Sequence, residues 1–298
     1  MKIEEYLRQK ALLVEEALFR FLPEPTAYPP VIHEAMHYSL SAGGKRLRPI
    51  LALAAGEAVG ADDCRPMLPL ACALEYIHTY SLIHDDLPAM DDDDFRRGKP
   101  SCHKVFGEGM AILAGDALLT YAFELLTKLA APEGAYQEAL VIKVIGEISR
   151  SIGTQGLIGG QVVDLQSEGI PIDINVLEYI HRHKTGALFK TSILTGAMLG
   201  GAKKQQLENL AVYADLLGLA FQITDDILDV EGDAALIGKP TGSDAKKQKA
   251  TYPGLLGMEQ ARNVVEECVT KSLEVLACFS DKAEPLRLLM SYIKDRNL

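Results

Sequence analysis

The sequence of 298 residues has no C-x-x-C pair among its five cysteines, Cys64, Cys72, Cys102, Cys268 and Cys278. Zinc-ribbon and disulfide-framework spacings are thereby excluded, and a reduced, cytoplasmic setting is expected. No run of eighteen apolar residues occurs, and the opening MKIEEYLRQK mixes charges instead of placing bases before an apolar stretch. No membrane insertion and no leader are expected. Positive charge is also scarce, with 30 Lys and Arg against 41 Asp and Glu and a net charge of −11. This balance argues against nucleic acid or an anionic membrane as partner. An anionic small molecule would need metal ions and locally placed bases to bind at all. Alternating strand-like segments bounded by turn signals are missing too.

What is present is helical periodicity. Leu7, Ala11, Val14 and Leu18 fall on one side of a helix predicted over 3–22, which the proline-rich stretch from Pro23 to Pro30 ends. Further helices are predicted over 31–41, 47–59, 67–87, 110–130, 136–154, 157–168, 174–199, 204–230, 253–278 and 285–294. The fold class is all-α, read as one domain over 1–298, since no linker or composition shift divides the chain. The segments 67–87 and 204–230 are apolar around most of their circumference, as the central helices of a bundle are.

Each of these two helices ends in carboxylates. SLIHDDLPAMDDDDFRRGKP holds Asp85, Asp86, Asp91, Asp92, Asp93 and Asp94, then Arg96 and Arg97. Six carboxylates in ten residues are costly to order without a cation; Mg²⁺, a hard ion that shares its positions among carboxylates, water and phosphate oxygens, suits them. The arginines would grip the same phosphates. FQITDDILDVEGDAALIGKPT repeats the pattern 140 residues later: Asp225 follows Asp85 by that offset, and Gly238, Lys239 and Pro240 follow Gly98, Lys99 and Pro100 by the same. Two half-sites are read from this, each a helix end with carboxylates and a loop carrying a lysine, with Lys99 expected to mirror Lys239.

Three other stretches could carry chemistry. AGGKRLRP places Lys45, Arg46 and Arg48 at a helix start after a glycine pair, an anion site by composition. HRHKT holds His183, Lys184 and Thr185. His33, Glu34 and His37 match H-E-x-x-H, and with Glu57 as a third ligand they define a zinc hydrolase as the alternative from another enzyme class. The longer zinc-protease pattern fails at Leu40 and Gly43, and that reading leaves both aspartate motifs unexplained.

GGKRLRP, YSLIHDDLPAMDDDDFRRGKP, GGQVVDL, HKTGALF and FQITDDILDVEGD with IGKPTGSD together resemble the trans-isoprenyl diphosphate synthases, most nearly the bacterial-type farnesyl diphosphate synthases. The match runs from about Gly43 to Asp244. The resemblance implies an isoprenoid synthase helical bundle with a central cavity between two aspartate-rich helices, usually a homodimer, with three Mg²⁺ ions. It implies metal ligands Asp85, Asp86 and Asp91 in one motif and Asp225, Asp226 and Asp229 in the other. Arg96, Lys184, Thr185, Gln222 and Lys239 would serve the allylic diphosphate, and Lys45, Arg48, His78 and Arg97 isopentenyl diphosphate. Pro88 and Ala89 would bend the first motif so that Asp85 and Asp91 converge. Tyr80, with Ser81, would close the product tunnel at fifteen carbons, a smaller residue there allowing twenty.

Overall fold

The structure is a computed structural model that describes residues 2–130, 134–231 and 250–294. Its helices are α1 (Ile3–Phe21), α2 (Pro30–Leu40), α3 (Leu47–Val59), α4 (Leu68–Asp85), α5 (Cys102–Phe106), α6 (Glu108–Thr127), α7 (Glu138–Ile152), α8 (Leu157–Gln166), α9 (Ile174–Ile180), α10 (Ala187–Leu199), α11 (Lys204–Glu231), α12 (Tyr252–Leu256), α13 (Met258–Leu276) and α14 (Glu284–Lys294). The predicted all-α class holds with one addition. Two-residue strands β1 (Phe95–Arg96) and β2 (Lys99–Pro100) pair antiparallel, Arg96 opposite Lys99. Arg97 (φ 53°) and Gly98 (φ 77°) form their two-residue loop, and left-handed backbone at both loop positions matches the twist of a tight hairpin.

The chain divides into two compact units, one of Lys2–Leu53 with Asp63–Ile145, the other of Ala54–Asp62 with Gly146–Leu298. In the first, α4 packs along α6, with α1, α2 and α5 around them. α4 is buried on all sides, from Leu70 and Ala71 to Ile77 and Tyr80, as its nearly continuous apolar sequence requires. Tyr76, fully buried, donates its hydroxyl to the Leu18 carbonyl at 2.6 Å, so the ring enters the core without stranding a polar atom. The second unit is built on α11 against α13, with α10 beside α11. Tyr213 of α11 repeats the device, donating to the Leu286 carbonyl at 2.8 Å.

The duplication seen in the aspartate motifs extends into structure. α5 is a five-residue helix ended by Gly107 (φ 84°, ψ 158°), which starts the long α6. α12 is a five-residue helix ended by Gly257 (φ 85°, ψ 155°), which starts the long α13. The helix predicted over 253–278 is thus two, because Gly257 takes a left-handed conformation that breaks the hydrogen-bond ladder. The helix predicted over 174–199 is also interrupted, by a π-helical segment at His181–Gly186. α6 is long and apolar enough to cross a membrane. Its Ala111, Ala114, Leu118, Ala122 and Leu125 are buried in the first unit, the pattern of a core helix.

Candidate active site

α4 ends at Asp85, and Asp86 is its C-cap. The bend predicted at Pro88 is a helix end instead. The Asp91 amide donates to the Asp85 carbonyl at 2.8 Å and the Asp92 amide to the Leu87 carbonyl at 3.1 Å. The chain therefore curls back over the last turn and returns Asp91 to Asp85. Both are half-buried, whereas Asp86 is buried. Arg96 Nε lies 2.9 and 3.2 Å from the two Asp86 carboxylate oxygens. Burial pushes the Asp86 carboxyl above its ordinary range, and the Arg96 guanidinium opposes that shift.

The basic stretch after α2 separates into different duties. Arg46 is buried, its Nη1 2.8 Å from Glu75 and its Nε 2.7 Å from Glu15, and its Nη2 donates to the Leu40 carbonyl at 2.7 Å. Of the three predicted cations, this one is consumed by the fold. Lys45 is exposed and Arg48 half-buried. Gly44 (φ 132°) gives way to Arg97: a Cβ there would sit 2.6 Å from the guanidinium carbon, and Arg97 donates to the Gly43 carbonyl. The His78 pKa lies well below its ordinary 6.5, first because of burial and then because of Arg48, Arg97, Arg96 and Arg46. Arg46 and Arg96 are paired with carboxylates, and Arg48 and Arg97 are the two largest charges acting on this imidazole, which makes them the cations beside His78 best placed for an anion. Arg96 and Arg97 also line a small cavity of about 30 Å³ with Asp86, Thr79 and Tyr38. Lys99 donates to the Ser41 carbonyl at 3.0 Å. Lys239 lies outside the described residues.

In the second unit a cavity of about 180 Å³ is lined by Asp164, His181, Lys184, Thr185, Gln222 and Asp226, among others. Lys184 Nζ is 2.6 Å from Asp164 Oδ2, and Gln222 Nε2 is 3.2 Å from His181 Nδ1. The π-helical segment carries three of these side chains; such wide turns collect at functional sites because they re-aim residues away from the regular helical stripe. The second glycine of GGQVVDL lets α8 press against it, since a Cβ on Gly160 would collide with the Lys184 amide and lie 2.7 Å from the His183 carbonyl carbon. Asp225 and Asp229, half-buried, share one face of α11. Asp226 is buried, accepts the Tyr252 amide at 2.9 Å and lies 3.6 Å from His181 Nε2.

In each motif, then, the first aspartate is accessible and the second is inside, tying down the segment beyond its helix. In the first unit half-buried Asp85 and Asp91, and in the second half-buried Asp225 and Asp229, offer only oxygen donors, and each pair fits Mg²⁺. The zinc reading finds no geometry: His37 Nε2 is 2.8 Å from the Pro23 carbonyl oxygen, its ring stacks on Phe19, and Glu34 is exposed. Tyr80 is buried and edge-on to His84 at 5.6 Å; burial first, then the charge of Asp85, raises its pKa. Ser81, half-buried, donates to the His78 carbonyl at 2.9 Å. Sequence reasoning missed the parts of Asp164 and His181 in the cavity. The GGQVVDL pattern held the only hint, a glycine pair four and five residues before Asp164.

The polyprenyl synthetase family model matches residues 29–280. The farnesyl diphosphate synthase of Geobacillus stearothermophilus is 50% identical over 262 residues, covering 88% of this chain and 87% of that protein. The geranylgeranyl diphosphate synthase of Cyanophora paradoxa is 47% identical over 293 residues, covering 98% and 96%. Among solved structures, a putative farnesyl-diphosphate synthase from Marinomonas sp. MED121 superposes with a TM-score of 0.84 at 42% identity, covering 99% of this chain and all of that one.

Proposed function

We propose, for a chain that belongs to the polyprenyl synthetase family and is a prenyltransferase of isoprenoid biosynthesis, that it condenses isopentenyl diphosphate with dimethylallyl and then geranyl diphosphate to give (2E,6E)-farnesyl diphosphate. Asp85 and Asp91, with Asp225 and Asp229, hold Mg²⁺ in this reading, three ions per site; when bound, Mg²⁺ supplies Lewis-acid assistance to a leaving diphosphate. Asp86 and Asp226, inside, position the accessible carboxylates. Arg96, Lys184 and Lys239 neutralise the allylic diphosphate, and Lys45, Arg48, His78 and Arg97 hold the isopentenyl diphosphate. Thr185 and Gln222 aim side-chain oxygens at the developing allylic cation, the positive-charge counterpart of an oxyanion hole. Such a cation would be quenched by water, so the mechanism requires a closed site around it. The double bond of isopentenyl diphosphate attacks the cation, and the departing diphosphate takes the proton lost afterwards. The working form is proposed to be a cytoplasmic homodimer.

Product length rests on Tyr80, buried five residues before Asp85 and within reach of its charge. Five residues are about 7.5 Å of helix but about 140° around it, so in this reading the Tyr80 ring closes the path of the growing chain from the side of α4, with Ser81 on the face nearer Asp85. A twenty-carbon product is the second reading, favoured by the 47% identity to a geranylgeranyl diphosphate synthase. Incubating the protein with labelled isopentenyl diphosphate and each allylic starter, then sizing the products, tests both. Fifteen carbons are expected; predominantly twenty would overturn the first reading.

A further inference from the structure

We propose that Asp92, Asp94 and His103 form a binding site for a transition-metal dication such as Mn²⁺, Co²⁺ or Zn²⁺, apart from the oxygen-only ligands assigned to Mg²⁺. One ligand atom from each of the three lies within 4.8 Å of the others. Adjacent ligands of such an ion are about 3.0 to 3.4 Å apart, given bonds near 2.1 Å, so side-chain rotation closing the gaps by at most about 1.8 Å brings the three donors onto one ion. Clustered carboxylates alone would mean little here. The independent sign is His103, only 6% exposed. Its Nδ1 lies 3.1 Å from Ser101 Oγ, while its Nε2 is buried with no hydrogen-bond partner.

Buried imidazole nitrogens are normally satisfied, and an orphan beside two carboxylates is accounted for by an ion between them. A serine oxygen accepting from Nδ1–H would leave the Nε2 lone pair for a metal and fix the ring, the usual arrangement behind a metal-bound histidine. The hairpin supplies the rest of the framework. The Ser101 amide donates to the Asp94 carbonyl at 2.9 Å, one step beyond the β1–β2 pairing, so Asp94 and the start of α5 are held together. Asp92 sits in left-handed backbone (φ 51°), pinned by its bond to Leu87. Lys104 Nζ lies 2.7 Å from Asp94 Oδ1 and is itself half-exposed, so it can swing to solvent when a dication arrives. One imidazole with two carboxylates selects Mn²⁺, Co²⁺ or Zn²⁺ over Mg²⁺, which seldom takes nitrogen.

The test uses Mn²⁺ as probe on the intact protein with Mg²⁺ in excess, so that oxygen-only sites are occupied. Electron spin echo modulation then reports ¹⁴N bound directly to Mn²⁺. Wild type should show this nitrogen signal; His103→Gln should abolish it, and Asp92→Asn should raise the Mn²⁺ needed for half the signal at least tenfold. Asp92 is exposed, so its substitution keeps the test valid should the His103 variant fold poorly. Absence of nitrogen modulation in wild type, or its survival at wild-type affinity in either variant, overturns the site.

Discussion

Asp85 and Asp225 remain half-buried while the neighbouring Asp86 and Asp226 are buried against Arg96 and the Tyr252 amide. The accessible member of each pair is the one able to meet a metal, so Asp85→Asn and Asp225→Asn should each lower turnover by several orders of magnitude. Circular dichroism should stay unchanged, because neither side chain is a core residue. His78 carries a pH signature. Its folded pKa lies well below 6.5, whereas the unfolded chain protonates it near that value. Below about pH 6.5 the unfolded state therefore binds more protons, and stability falls as pH falls. Melting temperatures measured from pH 7.5 to 5 should decline on the acid side, and His78→Asn should make that decline shallower. An identical slope in the variant would mean that His78 does not titrate differently on folding.

The π-helical segment His181–Gly186 shows what an element adds to a list of residues. Helical periodicity predicts one helix from 174 to 199, and in a regular helix Lys184 and Thr185 would point elsewhere. The wider turn survives because α8 supplies Gly160, whose missing Cβ makes room for the Lys184 amide. Gly160→Ala removes that room without touching any charged group. It should cut turnover at least tenfold, since small misplacements of positioning groups cost on the order of 10²-fold. The measurement is steady-state kinetics beside a melting curve: lost activity with a melting temperature within a few degrees of wild type is expected, and full activity would show that the segment adjusts freely.

Across the whole molecule the repeated pattern is architectural. Each unit has a central helix with an aspartate pair in its C-terminal part, at the end of α4 and five residues before the end of α11, a buried tyrosine bonded to a distant carbonyl, and a short helix ended by glycine. Product length belongs to this scale, because a growing chain samples everything that lines its path. Tyr80→Ala should shift products from fifteen carbons towards twenty or more, read by chromatography of the dephosphorylated prenols. Unchanged fifteen-carbon product from an active variant would assign the stop to another residue.

By itself the sequence determined the helical class, the two aspartate motifs and their 140-residue offset, because apolar periodicity and motif spacing are local properties of the chain. Tertiary structure alone decided which member of each aspartate pair is accessible. It also decided that Arg46 serves the fold through Glu15 and Glu75, 31 and 29 residues away. Nothing near Arg46 distinguishes it from Lys45 or Arg48; the difference is a buried carboxylate on α4 that must be neutralised where it lies. The hairpin, the break at Gly257 and the π-helical turn were likewise hidden. Each is a departure from local helical preference imposed by a neighbour or a backbone conformation, and periodicity registers the preference but not what overrides it.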